Sequence, residues 1–266
     1  MHIKRLLTGL IGVPVLICLI GAGPRWPFYL FLFLAALVGL IEFYNIAGSN
    51  LPKFIRWSAY LLSLLLFLSF AMKQVMFTQA IIALWAITPL TYYMLTHQSF
   101  DEQWISDIGR ALLGPVYVCL PIAMLIMIDM QPNGNLWIFF LLAVIFTNDT
   151  GAFYLGKLFG KHKLYKAISP NKTWEGAFGG LICAFIITPV FLNFLPVHHL
   201  DFNIYMLVFL LSMFAQVGDL AESMLKRIHG IKDSGKILPG HGGLLDRIDG
   251  LLFSIPVLYI YLVWTV

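Results

Sequence analysis

The sequence predicts an all-α, polytopic membrane bundle, and three observations carry that expectation. Hydrophobic residues make up 60% of the 266 residues and charged residues only 11%, against roughly 45–50% and about 25% in a soluble domain. The apolar residues gather into runs of spanning length. The basic residues collect in alternate gaps between those runs. A water-soluble globule is excluded, and the formal charge of +4, from 17 Lys and Arg against 13 Asp and Glu, reports membrane orientation rather than nucleic-acid binding.

A helical span needs about 20 residues to cross about 30 Å of hydrocarbon, so about 160 apolar residues allow roughly eight or nine spans. Read in order with their breaks, the runs fall near 6–23, 27–47, 54–72, 75–96, 104–128, 135–155, 176–195, 203–223 and 249–266. This gives about nine transmembrane helices. The first run follows Lys4 and Arg5 but ends Gly21-Ala-Gly-Pro-Arg25, without a small-x-small cleavage site, so it reads as a retained span rather than a signal peptide. With the N-terminus inside, fourteen basic residues face the cytoplasm: Lys4, Arg5, Lys53, Arg56, Lys157, Lys161, Lys163, Lys166, Lys172, Lys226, Arg227, Lys232, Lys236 and Arg247. Two, Arg25 and Lys73, face outward, and Arg110 lies near the inner end of the fifth span. The N-terminus is therefore expected to be cytoplasmic. The longer inside loops, 156–175 and 226–249, give the protein a cytoplasmic working face. No repeat or linker divides the chain, which reads as a single membrane domain, 1–266. Cys18, Cys119 and Cys183 all lie inside apolar runs without zinc-like spacing and read as packing.

A carboxylate in a span costs on the order of 2.5–3.5 kcal/mol at mid-bilayer, so each is a functional candidate. Glu42, Asp107, Asp149, Asp219, Glu222, Asp246 and Asp249 all map to the expected cytoplasmic ends. Glu42 and Asp107 read as acids at wet helix ends. The other five have polar company. Asp149 sits in Thr147-Asn148-Asp149-Thr150-Gly151, closing a span. Asp219, Ser223, Lys226 and Arg227, at i, i+4, i+7 and i+8, share one helix face with Glu222 beside it. A stripe of carboxylate, hydroxyl and two cations suits a metal-bound polyphosphate, the acid holding Mg²⁺ and the cations meeting phosphate oxygens. The plainer alternative is a helix end with snorkelling bases.

The following segment, Gly230 to Asp249, has further glycines at 235, 240, 242 and 243, which let backbone N–H groups approach an anion. It contains neither a Walker nor a Rossmann order. His241 is open to three readings: a turn residue, a phosphate donor or an acid-base group. Asp246 and Asp249, with Arg247 between them, open the last span. Lys161, Lys163 and Lys166 suffice as topology signals, whereas Lys172 lies among hydroxyls and a carboxylate in Ile168-Ser-Pro-Asn-Lys-Thr-Trp-Glu-Gly176.

The run Ser223-Met-Leu-Lys-Arg through Lys232-Asp233, Pro239-Gly-His-Gly-Gly243 and Asp246-Arg-Ile-Asp249 resembles the signature of the phosphatidate cytidylyltransferases, or CDP-diacylglycerol synthases. Asn148-Asp-Thr-Gly-Ala-Phe-Tyr154, Gly156-Lys157 with Gly160-Lys161, and Ser169-Pro-Asn-Lys-Thr-Trp-Glu-Gly176 are similar to the same family. The match covers roughly the C-terminal 120 residues; the first half, about 1–130, matches only as a set of spans. The resemblance implies that CTP and phosphatidic acid are joined to give CDP-diacylglycerol and pyrophosphate. It also implies Mg²⁺ dependence, a second metal or monovalent cation being left open, a homodimer, and a multi-pass place in the inner membrane. It assigns metal binding to Asp219 and Asp246. Catalytic roles go to these with Lys226, Arg227 and Asp249, and substrate binding to Asn148, Asp149, Lys172, Ser223, Lys232, His241, Gly242, Gly243 and Arg247. The D-G-x-x-A-R helix of CDP-alcohol phosphatidyltransferases is absent. A transporter is disfavoured because no polar string crosses the membrane.

Overall fold

A computed structural model describes residues 2–21, 23–97, 102–235, 237 and 242–265, with backbone alone for 2–11. Its helices are α1 (His2–Gly21), α2 (Trp26–Ile46), α3 (Lys53–Ala71), α4 (Phe77–Thr96), α5 (Gln103–Gly114), α6 (Leu120–Asp129), α7 (Gly134–Phe159), α8 (Trp174–Phe194), α9 (Phe202–Ile228) and α10 (Leu245–Thr265). A π-helical turn, Pro115–Cys119, joins α5 to α6, with the Leu120 N–H reaching Pro115 O. Pro115 and Pro121 each lack an N–H, and such gaps in the ladder are where π turns form.

Among the described residues seven helices are long and apolar enough to cross a membrane: α2, α3, the combined rod Gln103–Asp129, α7, α8, α9 and α10. The chain is thus an all-α, multi-pass membrane protein. The expected span 75–96 is helical as α4 but stands outside that set, its apolar run diluted by Thr78, Gln79, Thr88, Thr91 and two tyrosines. The expected span 6–23 enters only as the shorter apolar stretch Gly12–Gly21 of α1.

The chain groups into two compact units. The first comprises most of α1, Gly23–Ile126 and the segment Asp233–Leu245. On α2, Phe28, Leu32, Ala36, Leu40 and Phe43 recur at helical spacing and are buried with Ile55, Ala59, Leu62 and Leu66 of α3. Close approach is secured by small residues. A Cβ on Gly114 would stand 2.8 Å from the Tyr44 ring, and the Tyr44 hydroxyl donates to Ala111 O at 2.8 Å. Buried Cys119 packs with its thiol 3.8 Å from Ala36 O, in line with a packing role.

The second unit comprises Ile20–Ala22, Met127–Lys232 and Asp246–Val266. Its central pair is α7 and α8, joined by glycines that leave room for the facing helix. A Cβ on Gly180 would stand 2.8 Å from Asn148 Oδ1, one on Gly176 2.7 Å from Ala152 O, and one on Gly151 2.7 Å from Cys183 Sγ. Such small-residue contacts replace the hydrophobic effect as the source of helix association in lipid. On α9 and α10, Leu207, Leu211, Ala215, Leu252, Ile255 and Leu258 are buried. The expected loop 156–175 contains an antiparallel hairpin, β1 (Lys163–Tyr165) and β2 (Ser169–Thr173), pairing Lys163 with Thr173 and Tyr165 with Ser169. Outer faces carry exposed Leu61, Leu68, Phe153, Phe178 and Ile186, as lipid contact requires.

Candidate active site

Within the second unit the signature residues gather on the last third of α9, at the start of α10 and on α7, where Asn148 and Asp149 lie inside the helix rather than closing it, since α7 continues through Phe159. α9 runs through Ile228, five residues past its expected end at 223, so Asp219, Ser223, Lys226 and Arg227 stand on one continuous helix. The sequence spacing therefore becomes a spatial stripe. The Ser223 hydroxyl faces Asp219 Oδ1 at 3.5 Å, a weak contact. Arg227 Nε donates to Ile168 O at 3.2 Å and so ties the end of α9 to the hairpin turn.

Two lysine–acid groups result. In the first, Lys172 on β2 reaches Asp219 Oδ2 with its Nζ at 2.5 Å. Asp149 and Asp249 lie within Coulombic range of Asp219 and Lys172. In the second, Lys226 Nζ is shared between Asp246 Oδ1 and Glu222 Oε2, each at 2.6 Å. Glu222 is buried to 2% exposure. A carboxylate so placed requires its cation, since an unpaired buried charge is strongly destabilising. Asp249 Oδ1 accepts from Gly250 N at 2.8 Å. The approach of α9 and α10 that brings Asp219 and Asp249 into range depends on small residues, because a Cβ on Gly218 would stand 2.5 Å from Asp249 O.

The remaining expected residues divide. Asn148 is buried and central: its Oδ1 accepts from Gln216 Nε2 at 3.0 Å and its Nδ2 lies 3.4 Å from Asp149 Oδ1. Lys232 and Arg247 have exposed side chains. Gly242 adopts φ +85°, a left-handed conformation natural to glycine. Gly243 is buried. His241 lies outside the described residues.

Two residues of the second unit, Gln216 and Glu222, stand out that the sequence reading did not place in the site, and Glu42 of the first unit departs from its reading. Gln216 bonds Asn148 Oδ1 and Ala177 O, both at 3.0 Å, linking α9 to α7 and α8. Its signal was a lone amide in an apolar run, which in a membrane bundle calls for a partner. Glu222 was read only as a neighbour of the stripe. Glu42, read as a wet helix-end acid, is 3% exposed, and its oxygens accept from Ser234 Oγ at 3.1 Å, Leu244 N at 3.0 Å and Leu245 N at 2.9 Å.

Among the described residues no three of His, Cys, Asp or Glu converge tightly enough to hold an ion. The donor chemistry nonetheless fits Mg²⁺. All the acids offer hard oxygen ligands, and Asp149 and Asp249 add carboxyl oxygens without a lysine ion pair among the described residues. An open apolar groove of about 450 Å³ is lined by Phe146, Thr147, Thr150, Gly151, Tyr154 and Cys183.

Fold and site together define a multi-pass helical membrane protein with opposed lysines and acids at its helix ends. The family model described as "Cytidylyltransferase family" matches residues 3–265, so the chain belongs to the cytidylyltransferase family. It is 35% identical over 269 residues to a phosphatidate cytidylyltransferase of Bacillus subtilis (strain 168), covering 97% of each chain. To the protein of that name from Staphylococcus haemolyticus (strain JCSC1435) it is 35% identical over 264 residues, 97% of this chain and 98% of the other. To that of Staphylococcus epidermidis (strain ATCC 12228 / FDA PCI 1200) it is 36% identical over 238 residues, 89% and 90%.

Proposed function

We propose that the protein condenses CTP with phosphatidic acid to give CDP-diacylglycerol and pyrophosphate, with its site on the cytoplasmic face of the inner membrane. The observation that carries this reading is the pairing of Lys172 with Asp219 and of Lys226 with Asp246 and Glu222, on motif residues of a chain from the cytidylyltransferase family. The phosphate of phosphatidate is already a nucleophile at neutral pH. An oxygen of that phosphate attacks the α-phosphorus of CTP, a new P–O–P bond forms, and the bond to the β-phosphate breaks with pyrophosphate leaving. No strong base is needed. The demand is neutralisation and alignment of two polyanions.

Lys172 and Lys226 meet that demand by exchanging carboxylate for phosphate oxygens when CTP arrives, with Arg227 and Arg247 at the exposed edge. The exchange frees Asp219 and Asp246, which would hold Mg²⁺; the ion would supply charge stabilisation at the phosphates. Asn148, fixed by Gln216, orients Asp149. The apolar groove along α7 and α8 would suit a lateral approach, in which acyl chains stay in lipid while the headgroup reaches the lysines. About nine spans with a cytoplasmic N-terminus, and a homodimer, complete the proposal. The basic-residue bias supports the orientation.

The test uses purified protein in mixed micelles with phosphatidate, labelled CTP and Mg²⁺. Labelled lipid and stoichiometric pyrophosphate are expected, with EDTA abolishing both. ATP serving as well as CTP would overturn the reading. A single cysteine at His198 should react with an impermeant thiol reagent from outside intact cells, and one at Lys163 should not.

A further inference from the structure

We propose that the hairpin between α7 and α8 is a docking surface for anionic phospholipid, its lysines engaging headgroup phosphates of the leaflet beside it. The inference stands apart from the reaction proposed above and lies wholly within the second unit. Both α7 and α8 are long and apolar enough to cross a membrane, and only residues 160–173 separate Phe159 from Trp174. A link that short between two spans lies at a membrane surface, whichever face that is.

The charge along this link has one sign. From Lys157 to Trp174 the sequence holds lysines at 157, 161, 163, 166 and 172 and no acid. Lys172 is paired with Asp219. Glu175, the next acid in the chain, is taken by His162, through its backbone N at 3.1 Å and its Nδ1 at 2.6 Å. Lys157, Lys161, Lys163 and Lys166 are exposed and have no acid partner among the described residues. Their counter-charge must come from outside the chain.

Apolar side chains interleaved with these lysines say where that counter-charge sits. Leu158, Phe159, Tyr165 and Trp174 are exposed as well. Tyr and Trp rings gather at headgroup level, and there a lysine stem lies on apolar surface while its ammonium stands among phosphates. The surface is also held firmly. Strands β1 and β2 pair, Arg227 Nε donates to Ile168 O at 3.2 Å, and a Cβ on Gly160 would stand 2.7 Å from Thr173 Oγ1, so the hairpin sits against the end of α7. Such fixed presentation lowers the ordering cost of binding.

Lysines that serve only as topology signals finish their role at insertion and leave the folded protein with no lipid preference. A docking surface keeps one. Full-length protein is reconstituted without nucleotide in phosphatidylcholine bilayers. Electron spin resonance then compares spin-labelled phosphatidylglycerol and phosphatidate with spin-labelled phosphatidylcholine at the protein surface. The native protein should prefer the anionic labels by about fivefold or more, the scale of one lysine near an anionic headgroup. Salt at about 1 M, where the screening length is about 3 Å, should bring that preference to within about twofold of none. The combined variant Lys157→Gln, Lys161→Gln, Lys163→Gln and Lys166→Gln, recovered as a single gel-filtration peak, should do the same at low salt, because Lys172 and Lys226 remain paired with acids. Absence of a preference in the native protein overturns the proposal. So does a preference kept by the folded variant, which together with a raised KM for CTP would assign these lysines to the nucleotide instead. If the variant yields no folded protein, the salt arm decides, and a native preference unchanged at about 1 M salt overturns the proposal. Failure of the native protein to label lipid from CTP would bring down the functional reading and leave this test standing.

Discussion

The two polar segments that carry the signature, the hairpin after α7 and the glycine-rich segment before α10, are held by different means. The hairpin is closed by its own backbone. Strands β1 and β2 pair, Trp174 N donates to His162 O at 2.9 Å, and His162 N and Nδ1 meet Glu175 at 3.1 and 2.6 Å. Among the described residues, the flanks of the glycine-rich segment meet a buried acid from α2. The hairpin therefore distributes its support over several exposed contacts, each of modest value, whereas at the described flanks of the other segment three donors converge on Glu42. Local closure tolerates single losses. Closure by a remote residue does not.

The sharpest way to break this comparison is to add one methyl group to the glycine-rich segment. Gly243→Ala places a Cβ against Ser234 and Glu42 and should lower kcat/KM for CTP by about a hundredfold, the cost of overpacking by a few kcal/mol. Steady-state assays on the folded fraction check this. Exchange of a lysine should act next. Lys226→Ala leaves the buried Glu222 unpaired, so it should lower both folded yield and CTP affinity. Lys172→Ala should weaken substrate binding by about tenfold with little loss of fold, because Asp219 is half exposed. Isothermal binding of CTP beside thermal unfolding separates the two. In the hairpin, Thr173 caps α8 by accepting from Gly176 N at 3.1 Å. Thr173→Ala should cost about 1 kcal/mol, read as a fall in Tm of about 2–4 °C. Smallest of all, His162→Ala removes a contact whose histidine side chain is 80% exposed, and both Tm and turnover should stay near native.

How much of this was legible in the sequence follows from the range of each interaction. The stripe Asp219, Ser223, Lys226 and Arg227 was legible because helical spacing alone aligns it, and α9 extends far enough to keep it helical. The start of α10 was not. The expected span opens at 249 but the helix begins at Leu245, since its cap is Glu42, a residue far away in the chain. The pairings of Lys172 with Asp219 and of Lys226 with Asp246 were likewise tertiary, decided by where β2 and α10 fall beside α9, whereas Lys226 and Glu222, at i and i+4, pair within α9 itself. The hairpin escaped notice because strands of three and five residues give no periodicity to read. The α7–α8 contact did leave a signal. Gly176 and Gly180 are four apart, the spacing of small residues at membrane helix interfaces.

The account's central claim is that the two lysine–acid groups form the working centre for phosphate transfer. Turnover of phosphatidate and labelled CTP per folded protein in Asp219→Ala and Asp246→Ala, with gel filtration in detergent to count the folded species, tests it most directly. Each variant should fold and should lose at least about a hundredfold in turnover, the scale of removing one element of transition-state charge stabilisation. Near-native turnover in either folded variant would contradict the claim.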